Sequence, residues 1–342
     1  MTRPLSVLDL SPVGSGSTGA QALNNTLDLA RHAERLGYHR YWLAEHHNLP
    51  SVASSAPEIM IGQVARETST IRVGSGGIML PNHSPLKVAE WFRVLEGLFP
   101  GRIDLGIGRA PGTDQITALA LRRSRDAIAV DDFPQQLAEM LAYNTDSFPD
   151  GHPFKTISAV PVDVSLPPIF LLGSSDYSAH YAAAVGFGFA FAHHINPRDA
   201  VAVMRAYREQ FTASEYLSAP WAILGVSVIC AETEERAAAL GRSVDLSFLR
   251  LQSGKRAPLP SPEEAAAHEF TPAEQAQALA NRDRFIVGSP ATVKARIEQL
   301  AEQCAADEVM ITTNIHDHAE RVRSYELLAE TFGLEPVAGA AS

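Results

Sequence analysis

The chain has 342 residues, 46% hydrophobic and 20% charged, with a formal net charge of -11. A chain of this make-up buries a large core, and its acidity excludes nucleic acid and anionic membranes as general partners; any phosphate has to be met by local donors. No apolar run approaches the ~18 residues of a membrane span, and "MTRPLSVLDL" lacks a continuous leader core, so the expectation is a cytoplasmic protein without membrane contact.

In chain order, Leu5–Leu10 reads as a strand, followed by a helix with Leu23, Leu27 and Ala30 on one face and Gly37 as its stop. "YHRYWLAEHH" is the next strand, and Pro57 opens a short helix containing Ile61, Val64 and Ala65. "IRVGSGGIML" is a strand interrupted by glycine, after which Ser84 and Pro85 cap and start a helix through Val88, Phe92 and Leu95. "RIDLGIG" follows as a strand, then a helix over Phe133–Tyr143, the strand "PPIFLLGSS" and a helix over Asp176–Val185. "GFGFAFAHH" is a strand, Asn196-Pro197 starts a helix through Val201, Met204 and Tyr207, and "WAILGVSVIC" is a strand with a helix from about Thr233. Ser289-Pro290 starts a helix with Val293, Ile297, Leu300 and Cys304 in register, then "DEVMITTNI" and a final helix through Leu327 and Leu328. Cys230 and Cys304 fall in a strand and on an apolar helix face, as small core residues rather than a disulfide or metal site.

About eight β–α units of short apolar strands at this length point to an α/β fold, a closed (β/α)8 TIM barrel, over an open doubly wound sheet. The expectation is one barrel domain over residues 1–342. Residues 251–281, with four prolines and little core, break the rhythm and read as an insertion after the seventh strand, either a lid over the active face or a surface excursion.

Barrel chemistry sits where strands end. Strand two ends in Glu45-His46-His47, three in Ser75-Gly76-Gly77, four in Gly108-Arg109, five in Gly173-Ser174-Ser175 and six in His193-His194. After the first strand, Gly14, Gly16 and Gly19 match G-x-G-x-x-G, with Glu45 closing the next apolar run. Alone this is the dinucleotide fingerprint, but the barrel rhythm makes it a first βα loop. "GSSDYSAHYAA" offers hydroxyls and free N–H groups to an anion at a helix start, or is an N-cap made by Ser175 or Asp176. Arg109 needs an anionic or carbonyl partner, a ligand or an internal carboxylate such as Glu45 or Asp104. Adjacent histidines point to opposite faces of a strand, and without His-x-His, a cysteine cluster or a carboxylate-rich exit no metal site is expected. One histidine of "EHH" suits proton transfer near neutrality, or is structural. The small residues of "VGSGGIM" mark a bulge or a close backbone approach to a flat ligand.

Together these residues resemble the bacterial luciferase-like flavin-dependent monooxygenases, in their short oxidoreductase subgroup. The resemblance is carried by "AEHH", "VGSGGIMLPNHSPLKVAEWFRVLEGLFPGRIDLGIGRAPG", "LGSSDYSAHYAA" and "IVGSPATVKARIEQLAEQCAADEVMITTNIHD". It implies reduced FMN across the strand ends, with a non-prolyl cis peptide at Ser75–Gly77 supporting the ring and Ser75 and Gly76 among its contacts. It also implies Arg109 beside the flavin, Ser174, Ser175 and Ser178 at its phosphate, and His46 handling protons; Glu45, His193 and His194 fall on the substrate side. Arg122, Arg123 and Arg125 are a further basic run that could supply another phosphate contact. The implied reaction oxygenates a small organic substrate with O2 through a flavin C4a-hydroperoxide. A separate flavin reductase supplies FMNH2, and the chain pairs as a homodimer through its early helices. The alternatives are hydride transfer with the deazaflavin F420 and a flavin-binding barrel without turnover. The residues of 251–281 do not resemble the luciferase lid, so neither aldehydes nor light emission are implied.

Overall fold

Each expected strand alternates its side chains between two apolar layers, and in the computed structural model, which describes residues 3–337 apart from 126, 127 and 129, eight of them close into a ring. In chain order the strands are β1 Leu5–Asp9, β2 Arg40–Leu43, β3 Arg72–Ser75, β4 Ile78–Met79, β5 Ile103–Gly108, β6 Ile169–Gly173, β7 Gly188–Ala192, β8 Ala222–Cys230, β9 Phe285–Gly288 and β10 Glu308–Thr312. All pair in parallel in the order β1-β2-β3-β5-β6-β7-β8-β10, and β10 closes the barrel by pairing with both β8 and β1. The protein is a (β/α)8 barrel, as expected.

Two strands stand off this ring. β4 continues the third strand past its glycines and pairs Ile78 with Ile107 on β5. Among the described residues β9 pairs only with the second half of β8, Ser227 to Cys230. β9 is not expected from the sequence, because four residues ahead of a Ser-Pro helix start look like the approach to that helix. Their signal was the apolar run Phe285, Ile286 and Val287 before Gly288.

Inside the barrel, residues of the same parity form layers. The lowest is polar: Arg40 meets Asp104 at 2.8 Å and Glu308 at 3.0 Å, and Arg72 meets Asp104 at 2.5 Å. Burial alone would raise the Asp104 carboxyl, but the two guanidiniums outweigh it and hold it below its ordinary range. Above lie Leu8, Trp42, Ala44, Phe170, Ala190, Ile223 and Met310. Outward-facing residues such as Val7, Tyr41, Val73 and Leu105 pack against the helices in the larger core.

Most helix starts fall where expected. Helices span Gly19–Arg35, Pro57–Glu67, Pro85–Leu98 and Asp176–Val185, and Thr233 caps Glu234–Gln252. Two details differ. The first helix buries Ala22, Thr26, Leu29, Ala30 and Ala33, with Leu23 to one side. The helix expected from Asn196-Pro197 starts at Ala200, because the Asn196 side chain is spent on the Ser174 carbonyl at 2.8 Å and on Asp199 at 2.8 Å. Cys230 and Cys304 are both buried in the larger core, free thiols pushed by burial up to about 12 and about 11.

The segment 251–281 begins in the last residues of Glu234–Gln252 and carries helices Pro262–Ala267 and Pro272–Ala280. It is tied to the loop after β1: Leu259 N donates to Val13 O at 2.9 Å, and Ser15 N donates to Leu259 O at 2.8 Å. Arg256 reaches Asp114 at 3.0 Å. The "GSGSTG" loop thus backs this segment, with Thr18 capping the first helix by accepting from Gln21 N at 3.1 Å.

Candidate active site

Above the apolar layer the barrel opens into a cavity of about 220 Å3 at the C-terminal ends of its strands. Its walls come from almost every strand exit: Leu8 and Leu10 from the first, His46 from the second, Gly76 and Met79 from the third, Gly108 and Arg109 after β5, Ser174 and Ser175 after β6, His194 after β7. Of the residues singled out in the sequence, His46, Gly76, Arg109, Ser174, Ser175, Ser178 and His194 share this cavity, while Glu45, Ser75 and His193 do not line it.

The polar end is built by β5 and β6. Ser175 is the N-cap residue of Asp176–Val185 but makes no side-chain capping bond, so among the described residues its hydroxyl and the first-turn N–H groups stay free for an acceptor. Ser174 is held through its carbonyl by Asn196, and Ser178 is buried one turn into the helix. The Arg109 guanidinium stacks on the Tyr177 ring at 4.1 Å and meets Asp131 at 3.2 Å in an exposed pair. Neither Glu45 nor Asp104 is its partner; the first is taken by histidines and the second by Arg40 and Arg72. Arg122 donates to Asn82 at 3.3 Å, and none of Arg122, Arg123 and Arg125 lines the cavity.

The floor is backbone. The peptide between Gly76 and Gly77 is cis, as the resemblance implied. A Cβ on Gly76 would stand 2.5 Å from Leu8 Cδ1, so only glycine leaves this surface flat. Ser75 lies under the floor, its hydroxyl donating to Gly106 O at 2.7 Å and accepting from Gly106 N at 3.0 Å.

Glu45 sits behind the wall, fully buried. It accepts from Met79 N at 2.7 Å and from Nε2 of His47 at 2.8 Å and of His83 at 3.0 Å. Burial would raise this carboxyl, but the two histidines and the Met79 amide outweigh it and hold it down to about 2. His46, turned the other way, donates from Nδ1 to Gly112 O at 3.3 Å, and burial pulls it below its ordinary range. His194 donates from Nδ1 to Gly225 O at 3.2 Å, and burial pulls it down to about 4. Its neighbour His193 faces away from the cavity, buried with Nδ1 unpartnered among the described residues, and is likewise lowered by burial to about 4. One histidine of each pair faces the cavity, as strand alternation requires.

Sequence reasoning missed Tyr177, His83, Met79 and Asn196. Each acts through a residue far away in the chain; the polar runs "DYS" and "NHSP" hinted at Tyr177 and His83, and nothing local marked Met79 or Asn196 for the site.

The luciferase-like monooxygenase signature matches residues 4–307. The chain belongs to the luciferase-like monooxygenase family. A luciferase-like monooxygenase of Escherichia coli (strain K12) is 41% identical over 95% of this chain and 96% of its own length. The N-acetyl-S-alkylcysteine monooxygenase of Bacillus subtilis (strain 168) is 36% identical over 95% and 97%. Among solved structures, apo-MsnO8 superposes with a TM-score of 0.90 at 40% identity, covering 98% of this chain and 99% of that one. The same fold occurs, at 19% identity, in the oxygenating constituent of 3,6-diketocamphane monooxygenase of Pseudomonas putida in complex with FMN (TM-score 0.72, 98% and 99% covered). It also occurs, at 15%, in the coenzyme F420-dependent tetrahydromethanopterin reductase of Methanopyrus kandleri (TM-score 0.64, 97% and 98% covered). The family signature and these relatives make the protein a luciferase-like monooxygenase.

Proposed function

We propose that the protein is an FMN-dependent monooxygenase that takes reduced FMN from a separate flavin reductase and, with O2, oxygenates a small organic substrate. The observation that carries this reading is the division of the cavity: free hydroxyls, an uncapped helix start and a guanidinium at one end, a flat glycine floor, and an apolar wall with two histidines at the other. These residues fit the cofactor. Ser174, Ser175 and Ser178 with the helix N–H groups would hold its phosphate, Arg109 would offset its charge, and Gly76 would leave room for the ring. Bound there, reduced FMN supplies the electrons that activate O2. His46 holds and returns a proton at Nε2, since its Nδ1 already donates to Gly112.

The 251–281 segment, tied at Leu259 to the loop after β1, contributes no residue to the cavity wall among the described residues and would act as a lid by moving over the opening. A homodimer through the early helices is supported by Ile59, Val94 and Leu98, exposed on Pro57–Glu67 and Pro85–Leu98. The proposed enzyme works in the cytoplasm, and no helix among the described residues is long and apolar enough to cross a membrane.

The test is a parallel titration with FMN, reduced FMN and F420, followed by 18O2 turnover. Reduced FMN is expected to bind at least about tenfold tighter than F420. Tighter F420 binding would replace the oxygenase reading with hydride transfer. Flavin binding that His46→Ala leaves intact, with no labelled product from any substrate, would make the protein a flavin-binding barrel.

A further inference from the structure

The apolar end of the cavity carries two histidines whose protons are assigned by the backbone. His46 Nδ1 lies 3.3 Å from Gly112 O, and His194 Nδ1 lies 3.2 Å from Gly225 O. A carbonyl oxygen only accepts, so each Nδ1 carries the hydrogen and Nε2 of the neutral ring is a bare acceptor. Both rings line the cavity, and among the described residues neither Nε2 has a hydrogen-bond partner. Burial lowers both groups, so both are neutral at pH 7.

Their placement around the barrel gives this end a single chemical character. His194 follows β7 and His46 follows β2; between them β8, β10 and β1 contribute Ile223, Met310, Leu8 and Leu10. The one charged side chain in the cavity wall, among the described residues, is Arg109. It follows β5, across the barrel from β10, and is already engaged with Tyr177 and Asp131.

We propose that this end of the cavity selects an uncharged substrate that donates hydrogen bonds, an alcohol, amide or similar molecule bearing O–H or N–H on a small apolar body, with His46 and His194 as its two acceptors. A carboxylate or phosphate here would face two lone pairs and an apolar wall, with its hydration lost and no cation gained. A ketone or ether of the same shape would leave both ring nitrogens unpaired in a desolvated site. The inference rests on the flavin reading only for which end of the cavity is left to the substrate.

Three probes of one shape separate these cases: hexanamide, 2-heptanone and hexanoate, titrated calorimetrically into the full chain at pH 7.5, unloaded and saturated with FMN. Hexanamide is expected to bind at least about tenfold tighter than either of the others. His194→Asn keeps an N–H able to reach the Gly225 carbonyl but removes Nε2; it should cut the hexanamide advantage to less than about threefold and leave 2-heptanone unchanged. His194→Lys should shift the preference toward hexanoate. Equal affinity for hexanamide and 2-heptanone, tighter binding of hexanoate, an order that His194→Asn does not alter, or no binding of any probe would each overturn the proposal. FMN binding is read separately from flavin fluorescence. If FMN does not bind, the function proposed above fails, and the probe order on the unloaded chain still decides this inference.

Discussion

Replacing Glu45 with glutamine removes the charge of a carboxylate that solvent does not reach, while leaving one oxygen to accept from Met79 N or a histidine. The carboxyl is held down from 4.5 to about 2 in the folded protein. At about 1.4 kcal/mol per unit, this ionisation contributes about 3 kcal/mol to stability at neutral pH. The sign follows from the direction: a depressed carboxyl stabilises above its unfolded value of 4.5 and loses that contribution as pH falls toward about 2. At pH 3.5 about 2 kcal/mol should remain. Urea unfolding of wild type and Glu45→Gln at pH 7 and pH 3.5 measures this directly, with a gap that narrows by about 1 kcal/mol at the lower pH. Because Glu45 also fixes Met79 in the cavity wall, the variant should bind flavin more weakly even where it is folded. A Glu45→Gln protein as stable as wild type at pH 7, or a gap independent of pH, would refute the reasoning.

Arg109→Met should change stability by less than about 0.5 kcal/mol, since its pair with Asp131 is exposed, yet weaken FMN binding by about tenfold; thermal melting and flavin fluorescence together separate the two effects. Gly76→Ala should lose about 1–3 kcal/mol, because the new methyl meets Leu8 and Trp42, and denaturant unfolding reads the loss. His193 is pulled by burial to about 4, so the folded protein loses stability as pH falls from 6.5 through 4. This group alone costs about 2 kcal/mol at pH 5, and His193→Gln should flatten the stability profile between pH 7 and 5 by that amount.

Much of this protein is legible along the chain because strand alternation and helix starts are local. The alternation of Ser6 and Leu8 with Leu5 and Val7, and Pro57, Ser84-Pro85 and Ser289-Pro290 at helix starts, needed no knowledge of distant residues. Eight such units in 342 residues, together with the "EHH", "VGSGG" and "GSSDYS" exits, were enough for the barrel and for the family. β9 escaped because a four-residue strand on one neighbour has no periodicity of its own.

What the tertiary structure alone decided is which groups meet. Alternation says that one histidine of each pair faces inward, but the register of β2 and β7 in the closed barrel selects His46 and His194 over His47 and His193. Arg109 needed a partner; barrel closure assigned the buried carboxylates to Arg40, Arg72, His47 and His83 and left it Asp131 and the face of Tyr177. Local sequence sets what each residue prefers to do. Which partner satisfies it depends on contacts between residues tens to hundreds of positions apart, and those exist only once β10 has closed against β1.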